Sequence, residues 1–181
     1  MVSALGARSR PAGDVERVSD DPFLNEAFAR GAAFALEGRC ADAQPLFRVV
    51  IDGEPEAFEP RFRFASCSRI LGEPDIAESM LDELVAEQRA LPPGRPLASA
   101  LLTLRVVYNR TGRLDEAVAA ETESLGFAVS LGDHGLAARI LINLSIIAED
   151  RGDLTEARTL LGRALLAFVR DGREVLPGQV Y

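Results

Sequence analysis

Lysine is absent from this chain of 181 residues, and all 20 of its basic residues are arginine. A GC-rich genome is the ordinary source of such a bias, yet it has a chemical consequence. The planar guanidinium grips a carboxylate through two hydrogen bonds, which an ammonium cannot do. Histidine occurs once, at His134 in the turn Leu131-Gly-Asp-His-Gly135, so a multi-histidine metal site is excluded. The two cysteines, Cys40 and Cys67, fall in helical patterns without metal-type spacing and read as buried, reduced thiols. No stretch approaches the roughly 18 consecutive apolar residues of a membrane span. The opening Met1-Val-Ser-Ala-Leu-Gly-Ala-Arg-Ser-Arg10 lacks the apolar core of a secretory signal, and a cytoplasmic protein is the expectation. A net charge of −8 withholds the basic footprint that phosphate contacts need, which argues against a direct nucleic-acid partner.

Catalytic constellations are missing as well. The glycines are spread at helical intervals rather than clustered, so no phosphate-cradling loop is present. His134 could carry a proton but reads as a solvent-facing turn residue. Ser66, Cys67 and Ser68 have no histidine near them in sequence and read as helix packing. Glu116 and Glu149-Asp150 stand at helix ends, where solvated or capping roles are ordinary. An enzyme is not expected, and neither is a metal or a cofactor.

What the chain does have is a beat. Gly38-Arg-Cys-Ala-Asp-Ala43, Gly72-Glu-Pro-Asp-Ile-Ala77, Gly112-Arg-Leu-Asp-Glu-Ala117 and Gly152-Asp-Leu-Thr-Glu-Ala157 follow one another at steps of 34, 40 and 40 residues. Each glycine closes one apolar helical stretch, and each alanine lies inside the next. A fixed period of this size marks a solenoid. The stripes on either side have helical spacing: Ala27, Gly31 and Phe34, then Ala43, Phe47 and Val50 in the first unit. The later units repeat the scheme with Leu101, Leu104 and Tyr108, and with Leu141, Leu144 and Ala148. Residues 1–21 show no such period and read as a flexible tail ending in a helix start at Asp20-Asp21-Pro22. The stretch Leu91-Pro-Pro-Gly-Arg-Pro96 is the one internal segment that reads as a real loop, and a hinge would belong there.

The small residue in mid-helix (Gly31, Ala65, Ser145), the aromatic three residues on (Phe34, Tyr108), the turn glycine and the alanine together resemble the tetratricopeptide repeat. Pro55 falls where that family's terminal proline falls. Four copies cover residues 22–177, as repeats of about 24–57, 58–97, 98–137 and 138–177, and residues 178–181 look like the start of a truncated fifth. The 40-residue steps are similar to the lengthened repeats of spindle-orientation adaptors and of large actinobacterial signalling regulators. Arg105 departs from the pattern in place of the small residue, and Ser68 and Ala148 in place of the aromatic. The resemblance implies an all-α right-handed superhelix whose first helices line a concave groove.

It also implies a function class: a non-catalytic module that holds a peptide or helical segment in that groove. The alternative is a ligand- or peptide-sensing segment of a bacterial transcriptional or signalling regulator. By family spacing, Phe28, Phe62, Arg69, Leu102, Val106, Asn109, Arg110, Arg139 and Ile142 face the groove. The four first-helix windows hold eight arginines and five acids, a net +3, whereas the remaining repeat segments sum to −10. That asymmetry fits an acidic peptide, or it reflects arginines that pair with the acidic second helices; the sequence leaves both open. The lysine–asparagine clamp of chaperone-tail binders has no counterpart in a chain without lysine. A solenoid that stops without a polar cap presents an apolar end, so a homo-oligomer through Leu160 and Phe168 is a further expectation.

Overall fold

The structure, a computed structural model, describes residues 17–92 and 94–172. The expected fifth-repeat start at 178–181 and most of the expected tail lie outside the described residues. Eight helices follow in order among them: α1 (Pro22–Leu36), α2 (Cys40–Gly53), α3 (Phe58–Leu71), α4 (Pro74–Arg89), α5 (Arg95–Arg110), α6 (Leu114–Ser130), α7 (His134–Asp150) and α8 (Leu154–Arg170). Their ends have local causes. Asp21, Asp133 and Asp153 accept hydrogen bonds from backbone N–H groups of α1, α7 and α8, and Pro22, Pro74 and Pro96 stand in first turns, where a missing N–H costs little.

The four beat glycines sit in the hairpin turns with φ between 76° and 84°, a left-handed conformation that a Cβ disfavours. They end the first helix of each pair, and Ala43, Ala77, Ala117 and Ala157 are buried in the second. The chain therefore folds as four antiparallel helical hairpins, each helix packed on the next. Three apolar clusters run along the stack, around Phe47 on α1–α3, around Leu81 and Leu101 on α3–α6, and around Leu141 and Leu144 on α6–α8.

Two details correct the expectations. Val18 and Ser19 of the expected tail are fastened to the first hairpin. The Asn25 side chain accepts from the backbone N–H of Val18 and donates to the carbonyl of Ser19, and the buried Ser19 hydroxyl bonds Glu54. The proline-rich link does not interrupt packing either, because α4 lies directly on α5. The looser place is further on: α1 touches α3 and α3 touches α5, but the backbones of α5 and α7 do not meet. No helix among the described residues is long and apolar enough to cross a membrane.

Candidate functional site

The gap between α5 and α7 is where the first helices open into a pocket. Leu102 and Arg105 of α5 face Leu136, Arg139, Ile142 and Asn143 of α7 around about 330 Å³. A second space of about 500 Å³ continues it toward the helix starts and shares Leu102, Leu136 and Arg139. There the Arg95 guanidinium pairs with Asp133 at 3.1 Å and ties the first turn of α5 to that of α7.

Beneath the pocket lies a buried charge. Glu121 of α6 is 0 % exposed, with Asn143 Nδ2 donating to its Oε1 at 2.8 Å and Arg105 Nε 3.4 Å from the same oxygen. Burial raises its carboxyl above the ordinary glutamate range, against the opposing pull of Asn143 and Arg105. Glu121 Oε2 and Arg105 Nε are both buried without a hydrogen bond. Arg139 is exposed in the pocket and has no ion pair, so the space combines apolar walls with two guanidinium groups, one of them uncompensated.

The eight first-helix arginines divide accordingly. Arg61, with its side chain 7 % exposed, turns away to α4, where Nη1 bonds Glu87 at 2.7 Å and Nη2 bonds Glu83 at 3.0 Å. Arg63 pairs with Glu59, Arg105 with Glu121 and Arg151 with Asp115, while Arg110 Nη1 donates to the carbonyl of Arg69 at 2.6 Å. Arg30, Arg69 and Arg139 have no side-chain hydrogen bond or ion pair among the described residues. Pairing with the acidic second helices thus accounts for Arg61, Arg105 and Arg151.

The residues named from family spacing separate into groups. Leu102, Arg139 and Ile142 come together in the α5–α7 pocket. Arg69 and Arg110 line a smaller cleft of about 140 Å³. Phe62 is half-buried and stacks on Phe58 at 5.5 Å, and Val106 and Asn109 are half-buried on α5, with Asn109 Oδ1 unbonded. Phe28 is a correction: at 3 % exposure it packs in the first core cluster, 5.9 Å from the Phe47 ring, because α2 covers that side of α1. Leu160 is another. It is 6 % exposed within the α6–α8 cluster, held by its own hairpin partner, and so offers no free face; Phe168 is half-buried.

Leu136, Arg105, Asn143 and Glu121 were not among the residues expected at the site. Arg105 was visible as a departure from the pattern. Its partner was visible too, since Phe47, Leu81, Glu121 and Leu161 occupy one position in successive repeats and only one of them is charged. His134 begins α7, and the Cys67 thiol, raised to about 12 by burial beside Cys40, is a poor nucleophile. Among the described residues, no cluster of histidine, cysteine or carboxylates could hold a metal ion.

Stacked hairpins with a turn glycine and a small-residue crossing define a TPR-like α-solenoid, and solved structures share that fold. The chain superposes on the crystal structure of MamA with a TM-score of 0.68 at 19% identity, covering 84% of this chain and 82% of that one. It matches BtubC (BKLC) from P. vanneervenii at 0.73 and 18%, over 91% and 71% of the two chains. The nearly identical TPR-like repeats of a kinesin light chain from Podosopora anserina match at 0.71 and 17%, over 88% and 82%. At these identities the likeness is one of fold. No protein-family model and no curated protein matches the sequence.

Proposed function

We propose that the protein is a non-catalytic interaction module that receives an extended or helical peptide in the groove of its first helices, with the α5–α7 pocket as the point of recognition. The observation that carries this reading is the meeting of Leu102, Ile142 and Leu136 with the unpaired Arg139 where the two helices part. Apolar contacts supply affinity in such a pocket, and a guanidinium without an internal partner supplies register. The preferred peptide carries an apolar residue next to an aspartate or glutamate, whose carboxylate Arg139 and the tip of Arg105 take between them.

A random peptide display library tests this. Selected peptides should be enriched in that acidic–apolar pair, and Arg139→Glu should lower their affinity by at least about tenfold, the equivalent of one lost charge-assisted contact. Helicity should be unchanged, because the Arg139 side chain makes no hydrogen bond or ion pair among the described residues. Selection of basic peptides, or affinity indifferent to Arg139→Glu, would refute the reading.

A further inference from the structure

The step of 40 residues allows two clefts on the side of the second helices to be laid over one another. The earlier lies between α4, α5 and α6, the later between α6, α7 and α8, and they enclose similar volumes of about 360 and 350 Å³. What faces them differs. The earlier cleft carries the Tyr108 ring, whose face is covered by Arg113 at 4.4 Å and whose hydroxyl lies 3.5 Å from Asp82. Glu78 holds that arginine, and Arg89 pairs with Glu123 at 2.6 Å across the rim. At the matching positions the later cleft has Ala148 for Tyr108, Thr122 for Asp82, Asp153 for Arg113, Val118 for Glu78 and Arg163 for Glu123.

Each replacement acts in one direction. The ring is gone, the counterpart of the Glu78–Arg113 pair is gone, with Arg151 joined instead to Asp115 at the start of α6 at 2.7 Å, and the walls become Val118, Leu125, Leu144, Ile147 and Leu160. Arg163 remains exposed at the rim without an ion pair among the described residues, since Val129 stands where Arg89 would predict its partner. An unpaired guanidinium over an apolar slot complements the negative face of an aromatic ring. Among the described residues the same contact is made internally four times, most closely by Arg39, 4.2 Å from the Phe34 ring centroid, and by Arg113 over Tyr108.

We infer that the α6–α7–α8 cleft is a second binding site, distinct from the groove, which takes a phenylalanine or tyrosine side chain of a partner polypeptide in the place that Tyr108 holds one repeat earlier. Size permits it, as an apolar space of about 150 Å³ already accommodates a benzene ring. A side chain rather than a free ring compound fits the surroundings. Thr122 and Glu156 border the apolar floor and can hydrogen-bond the backbone that carries the ring.

The test uses N-acetyl-tyrosinamide as probe, N-acetyl-leucinamide and p-cresol as controls, and methyl NMR of the full chain. Saturable shifts are expected at Val118, Leu125, Leu144, Ile147 and Leu160 with the tyrosine probe, at least about threefold weaker with the leucine one, as a ring's specific contacts predict. Ala148→Tyr, which rebuilds the earlier cleft, should abolish them, and Ala148→Leu serves if the tyrosine variant loses helicity. Arg163→Ala should weaken binding by a few-fold. Absence of saturable shifts, binding of p-cresol but not of the capped amino acid, equal response to leucine, or binding undiminished in a folded, filled variant would each overturn the assignment.

Discussion

The second and third repeats put different chemistry at the same point of the same backbone. Where the two helices of the second repeat cross, Ala65 and Leu81 are buried in one apolar cluster; in the third, Arg105 and Glu121 meet as ions. The first repeat is the extreme apolar case, for a Cβ on Gly31 would stand 2.9 Å from the Phe47 ring. The TPR-like crossing therefore does not require a small residue against a large apolar one. It requires two side chains that fill the space and satisfy each other. The ionic solution has a side effect that the apolar one lacks. Glu121 draws Asn143 from α7, so the core of the third repeat is bonded to the fourth beneath a gap where the first helices do not touch.

The largest effect should come from breaking that pair on one side. Arg105→Ala leaves a fully buried carboxylate with only an amide for company, and should destabilise by about 3–5 kcal/mol in urea unfolding. Leu81→Ala, the truncation at the second repeat's crossing, should cost about 2–5 kcal/mol through the cavity it opens. The decisive variant is Arg105→Ala with Glu121→Leu, which gives the third repeat the second repeat's pair. It should recover the loss and equal or exceed the parent, since a buried ion pair is often no better than its apolar replacement. A double variant no more stable than Arg105→Ala alone would mean that the third repeat's own surroundings, rather than the shared backbone, require the ionic crossing.

This contrast also shows where sequence reading succeeds. The turn glycines and their buried alanines are legible because each demand is local: a positive φ at Gly72 or Gly112, a close crossing at Ala77 or Ala117. Family spacing gives each residue a direction on its own helix but not the neighbour that covers it. Phe28 was assigned to the groove for that reason and lies under α2, and Leu160 was assigned to an open face and lies under α7. Groove arginines suffer the same ambiguity. Arg61 and Arg139 look alike in sequence, but one is neutralised by two glutamates more than twenty residues away and the other is not. The pairing of Arg105 with Glu121 emerges only when the four repeats are aligned position by position.

A smaller effect separates the two crossings by pH. Burial raises the Glu121 carboxyl above an ordinary glutamate value near 4.5. Below that value the residue is protonated whether the chain is folded or not, and it contributes nothing. As pH rises through it, the unfolded chain releases the proton first, so the native state loses stability until the raised folded value is passed. Glu116 slopes the opposite way, because Arg113 holds it low, so the useful quantity is a difference. The advantage of the Arg105→Ala, Glu121→Leu variant over the parent should grow from pH 4.5 upward and then level off. A difference that is flat with pH would show that Arg105 and Asn143 fully offset the burial of the charge.

The smallest effect belongs to an exposed ion pair where the third hairpin meets the fourth, Arg95 with Asp133, and it sharpens the contrast between buried and exposed charge. The Arg95 side chain is 81 % exposed, and Asp133 accepts from the N–H of Leu136 at 3.0 Å whether or not the arginine is present. Arg95→Ala should therefore change stability by less than about 0.5 kcal/mol, within the range of exposed pairs. Its consequence should be local instead. The pair spans the mouth of the α5–α7 gap, so its loss should speed hydrogen exchange in the first turn of α7 while the turn of α8, capped alike by Asp153, stays unchanged. A drop in global stability as large as that of Arg105→Ala would place the strength of the junction at its rim, and the buried carboxylate would then be a passenger in the core rather than the bond between repeats.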